Sequence, residues 1–124
     1  MDSDVYSENL LDHYENPRNF GNLNNPTHAA SDANLICGDV IEIQLKVENS
    51  IVKDVKFKSS GCAISKASAS MLSEKIKGMS LDKVKNLDEK DIFEMLGIRI
   101  SEARIKCALL SLAVLKKAVQ QLPL

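Results

Sequence analysis

The stretch Val40-Ile41-Glu42-Ile43-Gln44-Leu45-Lys46-Val47-Glu48-Asn49-Ser50-Ile51-Val52-Lys53-Asp54-Val55-Lys56-Phe57-Lys58 decides the fold. Ile41, Ile43, Leu45 and Val47 alternate with Glu42, Gln44 and Lys46, and Val55 and Phe57 alternate with Asp54, Lys56 and Lys58. A period of two sends successive side chains to opposite faces, so each run is a strand with one apolar and one wetted face. Glu48-Asn49-Ser50 is a tight connection in which Asn tolerates left-handed dihedrals, and the pair is therefore an antiparallel hairpin.

Upstream, a third strand from about His28 to Ile36 completes a small sheet. Residues Asn16 to Asn34 are rich in Asn, Pro and Gly, which favours turns and predicts a mobile surface segment. Before it, Tyr6, Leu10, Leu11 and Tyr14 fall at helical spacing, giving a helix over about Ser3 to Tyr14 that ends ahead of Pro17. Downstream, Ile64, Ala67, Met71 and Leu72 restore the helical period, with Gly78 at a left-handed cap. Ser80 and Asp88 read as N-caps of two shorter helices, the second stopping at Gly97. Ser101 opens a last helix whose apolar residues, Ile105 to Val119, cover more than one stripe and predict a buried position.

The chain has 124 residues, 44% hydrophobic and 27% charged, with net charge -1, which describes one domain over residues 1–124 with a single core. Residues 1–34 form its N-terminal helix and mobile segment. With 16 basic side chains against 17 acidic and aromatics at 4%, the chain lacks both the charge and the stacking surface of a nucleic-acid binder. No run approaches about 18 consecutive apolar residues, and Met1 to Phe20 carry Asp, Glu and Asn in place of a basic and apolar leader. A cytoplasmic protein with no membrane partner is expected.

Three cysteines, Cys37, Cys62 and Cys107, are separated by 24 and 44 residues, so no local zinc-finger or CxxC spacing exists. Each falls at the end of an element: Cys37 at a strand end beside Gly38, Cys62 at a strand-to-helix junction after Gly61, Cys107 near a helix start. With Asp39 they offer three thiolates and one carboxylate, a soft set suited to zinc, copper(I) or iron–sulfur chemistry. Cysteines are equally at home as small core residues. A cysteine hydrolase would need a histidine beside its nucleophile, but His13 and His28 read as solvated or capping. A zinc deaminase would need H-x-E and P-C-x-x-C, both missing from the sequence. The Ser65, Ser68, Ser70 and Ser73 series lacks a Gly-rich phosphate cradle and suits close helix packing. Lys75, Lys77, Lys83, Lys85 and Lys90 read as a solvated face.

Four ordered motifs then carry a resemblance: Tyr6 to Gly21 (YSENLLDHYENPRNFG), Cys37-Gly38-Asp39, Gly61-Cys62-Ala63-Ile64-Ser65 with Ala67-Ser68-Ala69-Ser70, and Arg104-Ile105-Lys106-Cys107. The chain resembles the iron–sulfur cluster assembly scaffolds of the IscU, NifU N-terminal and SufU type over nearly its whole length. The resemblance implies a compact α+β domain of the SufE/NifU-like kind, a three-stranded antiparallel sheet packed against several helices. It also implies a [2Fe-2S] cluster or iron held by Cys37, Asp39, Cys62 and Cys107, with Cys107 or Cys37 accepting sulfur. A cysteine desulfurase and apo iron–sulfur acceptor proteins are the implied partners, and a homodimer is the implied form when cluster-loaded.

Two departures bear on chemistry. IscU proteins have a histidine just before the last cysteine, whereas this chain has Lys106, which has no acceptor when protonated and so leaves Asp39 as fourth ligand. Lys106 and Arg104 instead modulate the thiolates by charge. The Arg-Ile-Lys-Cys run looks like SufU, which in its family holds zinc and acts as a sulfur acceptor, yet the SufU insertion before the last cysteine is missing here. Ile100 to Arg104 reads Ile-Ser-Glu-Ala-Arg where IscU has Leu-Pro-Pro-Val-Lys, which argues against a dedicated heat-shock chaperone contact.

Overall fold

The computed structural model describes residues 7–121. Its centre is a hairpin in which β2 spans Asp39–Glu48 and β3 spans Ile51–Ser60, with Ile43 opposite Phe57 and Leu45 opposite Val55. Asn49 and Ser50 both take positive φ, 52° and 60°, the paired left-handed geometry whose twist matches that of the strands it joins. The register shifts between Lys46 and Val47, leaving Lys53 as an extra residue. That bulge explains why Val52 and Val55, three positions apart, are both buried.

β1, His28–Asn34, pairs antiparallel with β2 from His28 opposite Leu45 to Asn34 opposite Asp39, which completes the sheet in the order β1-β2-β3. The strand stops at Asn34 and not at Ile36. Leu35 and Ile36 belong to the following turn, 90% and 82% exposed, and the turn closes where the Gly38 N–H donates to the Asn34 carbonyl at 2.8 Å. The segment before β1 is tied to the sheet: Gly21 N–H donates to Phe57 O, Phe57 N–H to Asn19 O, and Leu23 N–H to Gln44 Oε1.

α1 is Glu8–Glu15, begun by Ser7, whose hydroxyl accepts the Leu10 N–H. The expected start near Ser3 falls on residues 3–6, which lie outside the described ones; the helix that is described opens one residue after Ser7. α1 rests on α2, Ala63–Ile76, through polar contacts. The Ser70 hydroxyl lies 2.7 Å from His13 Nδ1 and accepts the Arg18 N–H, while Ser73 Oγ donates to Ser70 O. His13 and His28 are both buried, so the solvated or capping role expected of them is corrected. His13 stands three positions after Leu10 and shares its buried face, while its Ser70 partner lies 57 residues away in the sequence.

α3, Leu81–Lys85, is capped by Ser80; α4, Glu89–Leu96, has a reciprocal capping box between Asp88 and Asp91 and ends at Gly97 with φ 67°. Ser101 does not open the last helix directly. A single 3-10 turn, Glu102–Arg104, comes first, and α5 then runs Ile105–Gln120 across β1, β2 and α2. Ile41, Ile43, Leu45, Val55 and Phe57 on the sheet, Ile64 and Leu72 on α2, and Val114 and Leu115 on α5 are all buried, each full burial of such a side chain contributing about 1.5–3 kcal/mol. Among the described residues no helix is long and apolar enough to cross a membrane.

Candidate metal and sulfur site

The alternation of β2 sets the site. Asp39, Ile41, Ile43 and Leu45 share one phase, so the carboxylate at the start of the strand points where the core residues point, and it is 0% exposed. Its Oδ1 accepts the Cys62 N–H at 2.9 Å. Its Oδ2 is buried and has no hydrogen-bond partner among the described residues, an uncompensated position for an anion. Gly61, with φ 136°, lets the backbone pass directly over this carboxylate.

Three element ends bring the sulfurs to Asp39. Cys37 sits exposed in the β1–β2 turn, next to Gly38 at φ 73°. Cys62 is the N-cap of α2, half-buried, and its side chain makes no capping bond to the helix. Cys107 is the third residue of α5 and is fully buried. One ligand atom from each of Cys37, Asp39 and Cys107 lies within 4.8 Å of the others. Zinc–sulfur bonds of about 2.3 Å place ligand atoms roughly 4 Å apart, so these three stand close to the spacing that one cation imposes. Cys62 is not in that mutually close trio, although its thiol is near enough to act on Cys107.

Burial pushes the Cys107 thiol far above its ordinary range, and the adjoining Asp39, Cys37 and Cys62 side chains push it the same way. The metal-free pocket therefore holds Cys107 as a neutral thiol, and a cation entering it must displace that proton. The donor set is soft, one oxygen is unpartnered, and the site opens to solvent on the Cys37 side, all of which suit a thiophilic cation that is received and passed on.

Lys106 is exposed, one helical step from the buried Cys107, so its ammonium stands in solvent beside the site. Arg104 is half-buried in the 3-10 turn that leads into α5. Sequence reasoning missed Asn34, whose Nδ2 donates to Cys107 Sγ at 3.7 Å. No local pattern in the sequence marks it, because the contact joins residues 73 positions apart. On the opposite sheet face Val40, out of phase with Asp39, lines a 270 Å³ cavity with Phe20, Glu42 and Lys58.

Known proteins resemble this chain in sequence and fold. The family described as NifU-like N terminal domain matches residues 5–123. The iron-sulfur cluster assembly scaffold protein IscU of Escherichia coli K12 is 37% identical over 119 residues, covering 93% of this chain and 91% of that protein. The zinc-dependent sulfurtransferase SufU of Bacillus subtilis is 39% identical over 132 residues, covering 93% of this chain and 89% of that protein. A crystal structure from Fervidobacterium islandicum AW-1, described as a scaffold protein for the SUF system, superposes with a TM-score of 0.76 at 28% identity, covering 92% of this chain and 96% of that one. The N-terminal NifU-like protein of Brucella abortus, at 20% identity and a TM-score of 0.78, shares the fold.

Proposed function

This chain belongs to the NifU-like N-terminal domain family, and from that premise we propose that it is a scaffold on which iron–sulfur clusters are assembled, with Cys37, Asp39, Cys62 and Cys107 as the ligand set. The convergence of Cys37, Asp39 and Cys107 within 4.8 Å, around a buried oxygen with no hydrogen-bond partner, carries the reading. In this role the chain acts as one domain in the cytoplasm, takes sulfur from a cysteine desulfurase and yields its cluster to apo acceptor proteins.

Exposure decides the order of events. The Cys37 thiolate, reachable from solvent, attacks the outer sulfur of a protein-bound persulfide; the donor's S–S bond breaks, its cysteine leaves as a thiolate, and Cys37 carries the sulfur. Cys107, fully buried, is the second acceptor candidate, and its Sγ lies within 4.8 Å of Cys37 Sγ. Release of sulfide from the persulfide takes two electrons from a reductant. Leu35 and Ile36 beside Cys37 offer apolar contact to whichever protein delivers or removes the cargo. Asp39 supplies the weakest of the four bonds, the one an acceptor's thiolate displaces first. Anaerobic reconstitution with iron, cysteine and a desulfurase tests the reading: absorption and Mössbauer spectra should show a stoichiometric [2Fe-2S] product, and a chain that gathers none is not a scaffold.

A second reading uses the same four side chains as a tetrahedral zinc site in a sulfur acceptor. The 39% identity with the Bacillus subtilis SufU and the lysine at position 106 favour it. Its alignment spans 132 positions, more than the chain's 124 residues, so that relative carries residues this chain lacks. Zinc content of purified protein does not separate the readings, because a three-thiolate site scavenges zinc. Desulfurase turnover does: stimulation by the zinc-loaded chain, with no cluster formed, establishes the sulfur-acceptor role.

A further inference from the structure

We propose that Asn34 is a positioning residue for the Cys107 thiolate, tying the buried ligand to the exposed turn that carries Cys37. The proposal rests on the ligand assignment above. Asn34 makes two contacts that no other described residue combines. Its side-chain Nδ2 donates to Cys107 Sγ at 3.7 Å, and its backbone carbonyl accepts the Gly38 N–H at 2.8 Å, closing the turn in which Cys37 stands. It also lies directly across the ladder from Asp39. One residue therefore touches, or is paired with, three of the four ligand-bearing segments.

The chemistry favours this donor. A thiolate has lone pairs and no proton, so it can only accept, and a neutral carboxamide supplies an N–H without adding a charge or competing as a ligand. Such outer contacts orient metal-binding side chains and withdraw electron density from them. Cys107 is fully buried, so its sulfur depends on a protein donor for a hydrogen bond. Asn34 is half-buried, sheltered from the water that would otherwise take its place.

Cobalt(II) and zinc(II) serve as the probes, on the full chain. Wild-type protein should show the sulfur-to-cobalt charge-transfer intensity of three thiolates. In Asn34→Leu, which keeps the branched shape and removes the donor, zinc affinity measured against a chromophoric chelator should fall about tenfold. The charge-transfer band should move to longer wavelength at unchanged intensity per cobalt, because a thiolate deprived of its N–H gives up an electron more readily. Asn34→Gln, which keeps the amide, should recover most of both. A leucine variant matching wild type in affinity and band position overturns the proposal. So does equal weakening in Leu and Gln variants without a band shift, since the loss would then come from the turn and not from the donor. Wild-type protein lacking a three-thiolate band would instead overturn the ligand assignment itself, before Asn34 is in question.

Discussion

Gly61 and Asp39 are packed so closely that a Cβ on residue 61 would lie 2.2 Å from Asp39 Oδ1 and 2.8 Å from Asp39 Cα. Neither neighbour can yield: the carboxylate is held by the Cys62 N–H, and the Cα belongs to β2. The φ of 136° adds a second penalty for any side chain. Gly61→Ala should therefore lose more than about 1–2 kcal/mol of stability from backbone strain alone. It should also weaken zinc binding at least about tenfold, because Asp39 and Cys62 are displaced together. Thermal unfolding of metal-free protein and chelator competition check the two parts separately.

Asp39→Ala should give a cluster that survives longer and transfers more slowly, since the exchangeable carboxylate is gone. The alanine also leaves the Cys62 N–H without its acceptor, at about 1–3 kcal/mol in the metal-free protein. Transfer to an apo-ferredoxin at equal loading is the readout. Faster release from the variant would mean that Asp39 secures the cluster.

Lys106→His should tighten zinc binding by adding an acceptor at the rim of the site, and a loaded cluster should persist longer against chelator. Lys106→Ala should leave metal stoichiometry intact and slow sulfur acceptance, because it removes only a nearby positive charge. If the alanine variant loses its metal while circular dichroism shows a preserved fold, Lys106 belongs among the ligands.

Stability of the metal-free protein should decline as pH drops below about 6.5. Burial lowers the pKa of His13, helped by Arg18 and opposed by Glu74 and Asp12, and burial with Lys85 lowers that of His28. A histidine with a depressed folded pKa stays neutral in the fold and charges on unfolding. Its stabilisation is therefore complete above the unfolded value of 6.5 and is lost as pH falls through the folded value. Each can contribute a slope of at most about 1.4 kcal/mol per pH unit. Urea midpoints between pH 7.5 and 5 measure it, and His13→Gln should flatten the profile.

The parts of the fold legible in the sequence are those whose signal is local. The alternation of Ile41 to Val47, the Asp88 cap and the Gly97 stop each depend on residues within a few positions, and the structure places them accordingly. The candidate ligands were legible because the family resemblance gathers residues that spacing leaves scattered. Contacts made across the fold were not. Ser65, Ser68, Ser70 and Ser73 bury on α2 as close helix packing requires, but the partners of Ser68 on α5, of Ser70 on α1 and of Ser73 at Arg18 are set by contacts 40 or more residues apart, and Ser65 Oγ has none among the described residues. Asn34 reads as a turn residue until β1 and α5 are brought together.

The paired left-handed residues Asn49 and Ser50 fix the hairpin register, and the register in turn decides which face Asp39 occupies. A slip by one residue would send the carboxylate to the solvent side of the sheet and leave the three thiols without it. Under the proposed ligand set, strand pairing and metal binding are therefore one property: only a chain zipped in this register presents Asp39 and the thiols together to a cation.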